Sequence, residues 1–220
     1  MGYSVAIDGP AGAGKSTIAK KVAKQLGFIY VDTGAMYRAM ALHMLRNGIS
    51  AEDAAAISAA CESADVTIEH RNGEQVVLLN GENVNGLIRT EEVGNMASAS
   101  SVNADVRKKL VSLQQKLAKK TDVIMDGRDI GTVVLPDADV KVYLTASSRV
   151  RAKRRYDELV QKGDSCSLDT IEQDIIERDN RDMHREISPL RQAEDAVLVD
   201  SSDMTIDEVV DKIISLTDRG

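Results

Sequence analysis

Eight consecutive residues, Gly9–Ser16, have types and spacing that suit phosphate chemistry: they read Gly-Pro-Ala-Gly-Ala-Gly-Lys-Ser. The pattern G-x-x-x-x-G-K-[ST] is that of a phosphate-binding loop, in which glycines let the backbone curl so that successive N–H groups point at phosphate oxygens. In such a loop Lys15 reaches the β- and γ-phosphates, and the hydroxyl of Ser16 binds Mg²⁺. We therefore predict a nucleoside triphosphate site formed by Gly9, Pro10, Ala11, Gly12, Ala13, Gly14, Lys15 and Ser16.

The segments on either side of this loop support the same prediction. The apolar run 3–7 before the loop is typical of a buried strand, and the stretch 17–26 after it is typical of a helix. A strand–loop–helix context separates a working phosphate site from a chance glycine-rich turn beside a lysine. The N-terminus of that helix adds partial positive charge where the phosphates would lie.

A second group of charged residues follows a later apolar run: Asp126, Arg128 and Asp129, within Asp-Gly-Arg-Asp-Ile-Gly-Thr-Val-Val. In open α/β sheets, ligands bind beyond the carboxyl ends of the strands, which is where these side chains would lie. We interpret them as part of the site. A salt-bridged surface loop is the alternative.

Another polar segment, 32–38, reads Asp-Thr-Gly-Ala-Met-Tyr-Arg and also follows a predicted strand. It leads into a helix whose first turn can hold an anion. Thr33 lies at the start of that helix and Arg38 one turn further on, so we predict that both contact a second phosphate. A solvated arginine on a helix surface is the alternative for Arg38.

Arginine is unevenly distributed: eight of the fifteen lie between Arg149 and Arg191, although the net charge is −7. Helical spacing places six of them on two faces, since residues three and four apart are neighbours on a helix. We expect an anion site on a lid that closes over the phosphates, rather than a solvated charged surface. The two faces are Arg151, Arg154 and Arg155, and Arg178, Arg181, Asp182 and Arg185.

The elements that position these residues follow from the apolar runs and the turn signals between them. Helical stretches separate five predicted strands, which is the alternation of an α/β fold with a parallel sheet. After Thr205, a possible helix cap, apolar residues recur with helical spacing and predict a C-terminal helix. The five predicted strands are Val5–Ile7, Phe28–Val31, Val123–Met125, Val140–Leu144 and Ala196–Val199.

One region interrupts this alternation. The β-prone runs 66–70 and 75–79 flank Arg-Asn-Gly-Glu, and a second Asn-Gly pair follows, which indicates an antiparallel hairpin. We predict a small lobe over about residues 62–90. It is either a surface hairpin or a mobile lobe that binds the acceptor.

Composition limits the class of protein. A chain of 220 residues with 43% hydrophobic and 29% charged residues is long enough for one sizeable α/β core, and with no Trp and one Phe that core must be mostly aliphatic. The acidic balance argues against general nucleic-acid binding. The two cysteines and three histidines show no metal-binding spacing, so we expect free thiols. No apolar stretch approaches membrane-spanning length, and we expect a cytoplasmic protein without membrane contact.

Taken together, five segments closely resemble bacterial cytidylate (CMP/dCMP) kinases, which belong to the P-loop nucleoside monophosphate kinases. The resemblance runs essentially from end to end. The combination of D-[ST]-G-A-x-Y-R with D-G-R-D-x-G-T-V-V is its most specific part. The five segments are 9–16, 32–38, 88–93 (Ile-Arg-Thr-Glu-Glu-Val), 126–134 and 178–182 (Arg-Asp-Asn-Arg-Asp).

The resemblance implies a three-layer αβα core with a five-stranded parallel sheet, a small antiparallel hairpin insertion and a short helical lid. We accordingly expect a single domain, with core residues 1–61, 91–148 and 190–220, a monophosphate-binding lobe at about 62–90 and a lid at about 149–189.

The same resemblance implies roles for individual positions. Acceptor-phosphate contacts are implied for Thr33, Arg38 and Arg128, cytosine contacts for Ser98, Arg107 and Asp126, and sugar contacts for Arg178 and Asp182. Arg185 would bridge the two phosphate chains. We expect Lys15, Arg128, Asp129 and Arg185 to be catalytic, and Thr17 and Arg154 to join the ATP contacts.

The implied reaction is transfer of the γ-phosphoryl group of MgATP to CMP or dCMP by a monomeric enzyme. Two alternatives stay open at this stage. One is a kinase for another small acceptor, such as UMP, shikimate or dephospho-coenzyme A. The other is a regulatory protein that hydrolyses ATP without an acceptor, although the Asn-Lys-x-Asp guanine reader of GTPase switches is absent from the sequence.

Overall fold

The computed structural model describes residues 2–71 and 73–217; Asn72, in the predicted hairpin turn, lies outside them. Strands and helices alternate along most of the chain. The strands are β1 Ser4–Asp8, β2 Ile29–Asp32, β3 Val66–Arg71, β4 Glu74–Leu79, β5 Glu82–Asn83, β6 Val123–Gly127, β7 Val140–Thr145 and β8 Val197–Asp200. The α-helices are α1 Lys15–Leu26, α2 Thr33–Arg46, α3 Ala54–Ser63, α4 Glu91–Ser100, α5 Ala104–Ala118, α6 Ser148–Gln161, α7 Leu168–His184 and α8 Ile206–Ile214.

The main sheet has five strands in the order β2-β6-β1-β7-β8. Strand β1 is parallel to both β6 and β7, and β8 is parallel to β7. Each of the five predicted strands is present, with small differences at the ends. Continuous apolar runs are typical of strands buried on both faces; the edge strand β8 differs in that three of its four residues are exposed. The predicted α/β fold with a five-stranded sheet is confirmed.

The chain divides into two compact units, and the first holds Gly2 and residues 29–122. It contains helices α2–α5 and a three-stranded antiparallel sheet in the order β3-β4-β5. The predicted hairpin is confirmed as β3 and β4, whereas the two-residue strand β5 was not predicted, because two residues are too short to show a pattern. The core of this unit is aliphatic and rich in methionine, with Met36, Met40, Met44, Leu79, Ile88 and Leu110 fully buried.

The second unit holds residues 3–28 and the described residues from 123 onward. The strands β1, β6 and β7 are mostly apolar and mostly buried. The predicted C-terminal helix is confirmed as α8, and Thr205 caps it. The Thr205 side chain accepts from the Glu208 N–H while the Glu208 side chain accepts from the Thr205 N–H, a reciprocal pair that satisfies two otherwise unpaired donors. Between β6 and β7, residues Ile130–Val134 form one π-helical turn.

Within the described residues, no helix combines the length and the apolar character needed to cross a membrane. Both cysteines, Cys61 and Cys166, are free thiols, as the sequence predicted.

Candidate active site

The phosphate loop follows β1 directly and depends on glycine at its first position. Gly9 has a φ of 150°, and a Cβ atom there would lie 1.9 Å from the carbonyl oxygen of Leu144 in β7. No side chain can be accommodated at that distance. Gly9 therefore lets the chain turn away from the sheet beside a neighbouring strand and deliver the loop to the start of α1.

Lys15, the first residue of α1, is folded back over its own loop. Its Nζ donates to the carbonyl oxygens of Gly9 and Pro10, at 2.7 Å each, and the residue is 6% exposed. Burial lowers the pKa of this lysine well below its ordinary value, and the charge of Arg128 lowers it further, against the opposing charges of Asp126, Asp8 and Asp182. A triphosphate would favour the charged form, since an opposite charge nearby stabilises it.

Ser16 is exposed and points at a carboxylate. Its Oγ donates to Asp126 Oδ2 at 2.9 Å, which links the start of α1 to β6. Asp126 is itself buried. A hydroxyl and a carboxylate side by side supply oxygen ligands, and these are what Mg²⁺ prefers. The two residues therefore fit the metal that the sequence predicted at Ser16.

Arg128 is held by Asp182 of α7. Its Nε donates to Asp182 Oδ2 at 2.8 Å, and both side chains are largely buried. Burial raises the pKa of Asp182, but the charge and hydrogen bond of Arg128, followed by the charges of Arg178 and Arg185, lower it overall. Asp182 thus links α7 to the segment that follows β6, although Arg128 lies 54 residues away in the sequence.

Arg185 lies just beyond α7, not on it. The helix ends at His184, and Arg185 is its C-cap with extended backbone, so the predicted four-residue helix face extends over three residues only. Arg185 Nη2 lies 4.0 Å from Asp129 Oδ1, and its Nε donates to the carbonyl oxygen of Ser188 at 2.7 Å. The extended cap turns Arg185 towards the segment that carries Arg128 and Asp129.

The arginine of α6 that reaches the phosphate loop is Arg151, which the sequence prediction passed over in favour of Arg154. Arg151 Nη1 donates to the carbonyl oxygen of Ala11 at 2.8 Å, and its Nη2 pairs with Asp179 of α7 at 2.6 Å. Arg154 instead donates to the backbone oxygen of Ser201 at 2.7 Å. Both arginines lie on the same predicted helix face, so their spacing could not distinguish them.

In the first unit, two arginines lie near the start of α2: Arg38 from the helix itself and Arg89 from the segment before α4. The side chain of Asp32 caps the helix by accepting from the N–H of Ala35 at 2.9 Å, and it also pairs with Arg89 at 2.6 Å. Arg38 Nη1 donates to the carbonyl oxygen of Ile88 at 3.1 Å. Burial lowers the pKa of Arg38, as does the neighbouring charge of Arg89. Two guanidinium groups beside a helix N-terminus suit a bound phosphate, and the sequence prediction gave no role to Arg89.

Close packing brings Arg38 against α4. A Cβ atom on Gly94 would lie 3.1 Å from Arg38 Nη1 and 3.2 Å from Nη2, so glycine at this position leaves room for the guanidinium. Thr33, the first residue of α2, is buried. The structure therefore gathers Thr33, Arg38 and Arg89 around one helix start.

Ser98 and Arg107 approach the same residue, Ser101, between α4 and α5. The Oγ of Ser101 donates to the carbonyl oxygen of Ser98 at 2.8 Å, and the carbonyl oxygen of Ser101 accepts from Arg107 Nη1 at 3.4 Å. The guanidinium of Arg107 also lies over the Tyr37 ring, 5.9 Å from its centroid, and the residue is 6% exposed. A buried arginine stacked on an aromatic ring is a rigid hydrogen-bond donor.

Comparison with known proteins identifies the family. The family model described as cytidylate kinase matches residues 5–219. A protein named cytidylate kinase from Caldicellulosiruptor bescii is 51% identical over 97% of this chain and 94% of its own length. A second protein of that name, from Carboxydothermus hydrogenoformans, is 48% identical over 98% of this chain and 97% of its own.

Among solved structures, an uncharacterized protein from Eubacterium ventriosum aligns with a TM-score of 0.51 at 16% identity. The alignment covers 98% of this chain and 97% of that one. At that identity the likeness concerns the fold alone.

Proposed function

Because the chain belongs to the cytidylate kinase family, we propose that it transfers the γ-phosphoryl group of ATP to CMP or dCMP, producing ADP and CDP or dCDP. The observation that carries this proposal is the relationship at about half identity over nearly the whole of both chains. The arrangement of the phosphate loop and the arginines supports it independently, since phosphoryl transfer needs positioning and charge neutralisation more than covalent chemistry.

We assign ATP to the loop 9–17. On binding, Lys15 would exchange the carbonyl oxygens of Gly9 and Pro10 for the β- and γ-phosphates, a rotation about its flexible side chain. The contact between Arg151 and Ala11 supports adding Arg151 to this half of the site as a residue that holds the loop. Arg154 stays a proposed ATP contact, and it would have to leave Ser201 to make one.

We propose that Ser16 holds the Mg²⁺ that accompanies ATP. When bound, this ion neutralises charge that develops on the β- and γ-phosphates. The hydrogen bond between Ser16 and Asp126 gives Asp126 a second possible role, which is to orient the metal ligand. In the first role, inferred from the sequence, its carboxylate accepts from the amino group of cytosine. Substitution of Asp126 should weaken the preference for cytosine if the first role holds, and raise the Mg²⁺ requirement if the second one does.

For the monophosphate, we propose that Thr33 and Arg38 contact the phosphate together with Arg128. Ser98 and Arg107 would contact the base, and the burial of Arg107 against the Tyr37 ring supports its role as a rigid donor. Arg178 and Asp182 would contact the sugar. In this assignment Asp182 has a further task, because it also holds Arg128.

No general base is needed. The attacking group is a phosphate oxygen, which is ionised near neutral pH because the second pKa of a phosphate monoester is about 6. Lys15, Arg128 and Arg185 would neutralise charge that develops during transfer, and a preorganised cation costs no rearrangement at that moment. Asp129, 4.0 Å from Arg185, would orient that arginine.

The test is initial-rate kinetics with CMP, dCMP and UMP at a fixed concentration of MgATP, with a reaction lacking acceptor as the control. Rapid turnover of CMP or dCMP is expected. UMP offers an oxygen where cytosine has an amino group, and such a buried mismatch costs about 1–3 kcal/mol, or about five- to 150-fold in kcat/KM. Faster turnover of UMP than of CMP would favour a kinase for another acceptor. ATP hydrolysis at a rate that CMP does not change would favour a regulatory protein that hydrolyses ATP without an acceptor.

We also propose which segments form the monophosphate-binding lobe and the lid. The three-stranded sheet of the first unit supports a monophosphate-binding lobe at about 62–90, and the paired helices α6 and α7 support a lid at about 149–189. A single domain, a monomeric state and a cytoplasmic location stay predictions.

A further inference from the structure

Asp8 is a buried charged residue to which the assignments above give no role. It is the last residue of β1, it precedes the phosphate loop, and it is 5% exposed. Both of its carboxylate oxygens are used: Oδ1 accepts from the N–H of Ile130 at 2.8 Å and Oδ2 from the N–H of Gly131 at 2.7 Å. One carboxylate thus binds two consecutive backbone amides at the start of the π-helical turn.

The backbone of Asp8 holds the other end of the same segment. In the parallel pairing of β1 with β6, Asp8 lies opposite Gly127. Gly127 is therefore fixed by the sheet and Ile130 by the Asp8 side chain. Only Arg128 and Asp129 lie between these two anchor points, and both belong to the proposed phosphoryl-transfer machinery.

This arrangement is costly for a group that contributes only to folding. Burial raises the pKa of Asp8 to about 6 despite the two backbone hydrogen bonds that lower it; the charge of Asp129 also raises it, and that of Lys15 lowers it. A carboxylate kept in such surroundings is more often found at functional sites than elsewhere. A neutral side chain could fill the same space without the cost of burying a charge.

We propose that Asp8 is a positioning residue for phosphoryl transfer: by anchoring both ends of the segment 127–130, it directs Arg128 towards Asp182 and the acceptor phosphate. The proposal rests on the function proposed above. Asp8 itself touches no substrate. Its influence passes through the backbone on which Arg128 and Asp129 are mounted.

The decisive variant is Asp8→Asn, which has the same shape. Its amide group must turn an N–H donor towards one of the two backbone N–H groups, so one anchor is lost. Small displacements of catalytic groups cost up to about 100-fold in rate, and we expect kcat to fall by about 10- to 100-fold while the KM for MgATP stays close to that of the wild type.

A control at an exposed carboxylate exists at the opposite end of the same strand. The carboxylate of Asp139 accepts from the N–H of Ser4 at 2.7 Å, so Asp139→Asn makes the same chemical change far along β1 from the loop. It should leave kcat unchanged. An equal loss of kcat in both variants would assign the effect to general destabilisation of β1 and overturn the proposal.

A double-mutant cycle with Arg128→Lys tests the route of the effect. If Asp8 acts through Arg128, the two losses in kcat are not additive, and Asp8→Asn costs clearly less in the Arg128→Lys background than in the wild type. Additive losses would overturn the proposal. Should Asp8→Asn not fold, as judged by circular dichroism, Asp8→Glu replaces it: the charge is kept but the two oxygens are displaced by a methylene, and kcat must still fall.

The wild-type assay separates the two levels of inference. A wild type that does not phosphorylate CMP refutes the proposed function. A wild type that is active, with an Asp8→Asn variant whose kcat is equal to it, refutes the role of Asp8 alone.

Discussion

The stability of this protein should carry a pH signature of the buried Asp8. The pKa of its carboxyl is raised from 3.8 to about 6 in the folded state, chiefly by burial. A carboxyl with a raised pKa favours folding only while it is protonated. As the pH increases from 3.8 to about 6, the unfolded chain loses the proton first and the folded protein keeps it, so the free energy of unfolding decreases with pH.

The size of this effect follows from the shift. A difference of about 2 pKa units at 1.36 kcal/mol each amounts to about 3 kcal/mol of destabilisation. This destabilisation has its full value at pH values above the pKa of the folded protein and is absent at pH values below the pKa of the unfolded chain. In Asp8→Asn this titration is removed. The variant has instead a cost of about 1–3 kcal/mol that does not depend on pH, because one buried N–H loses its acceptor.

The measurement is urea denaturation of both proteins, followed by far-UV circular dichroism, at closely spaced pH values across and above that window. The free energy of unfolding of the wild type, minus that of Asp8→Asn, should fall by about 3 kcal/mol as the pH rises and then become constant. Other groups titrate in both proteins and largely cancel. A difference that does not change with pH would refute the reasoning.

Three further predictions concern the second unit. Lys15→Ala should abolish turnover while calorimetry still detects CMP binding; a fully active variant would exclude the phosphate-loop role. If the Asp126 carboxylate contacts the base, Asp126→Ala should lower kcat/KM for CMP more than for UMP, so that the preference for CMP decreases. If the preference is unchanged and the variant needs a higher Mg²⁺ concentration, Asp126 instead orients Ser16, the metal ligand. Asp179→Asn breaks the buried pair with Arg151, and urea denaturation should show a loss of about 3–5 kcal/mol. As a comparison, Lys21→Ala removes an exposed ion pair with Asp207 and should cost less than about 1 kcal/mol of unfolding free energy. Equal losses in Asp179→Asn and Lys21→Ala would contradict this prediction.

The local elements were predictable because their signals are short-range. The phosphate loop, the five strands, the hairpin and the capped helix α8 each depend on residues that are neighbours in the sequence. Hydrophobic periodicity and turn chemistry report such neighbours directly. Strand β5 and the end of α7 at His184 were not predicted, because a two-residue strand has no periodicity and a C-cap with extended backbone has no strong sequence signal.

Partners within the site were less predictable. Asp182 accepts from Arg128, which lies 54 residues away in the sequence, and no local pattern indicates that pairing. Arg151 and Arg154 have equivalent spacing, yet Arg151 contacts the loop and Arg154 contacts Ser201. Each choice depends on how α6 and α7 pack against one another and on where the segment after β6 runs.

The identities and order of the residues thus establish which chemistry the chain can perform, because a phosphate loop, a surplus of arginine and a family resemblance are all properties of sequence. Which charged group meets which partner was established by folding. Asp8 illustrates the difference: in the sequence it is one acidic residue before a glycine, and nothing nearby indicates its role. Only the parallel pairing of β1 with β6 brings its carboxylate to the amides of Ile130 and Gly131, more than a hundred residues further along the chain.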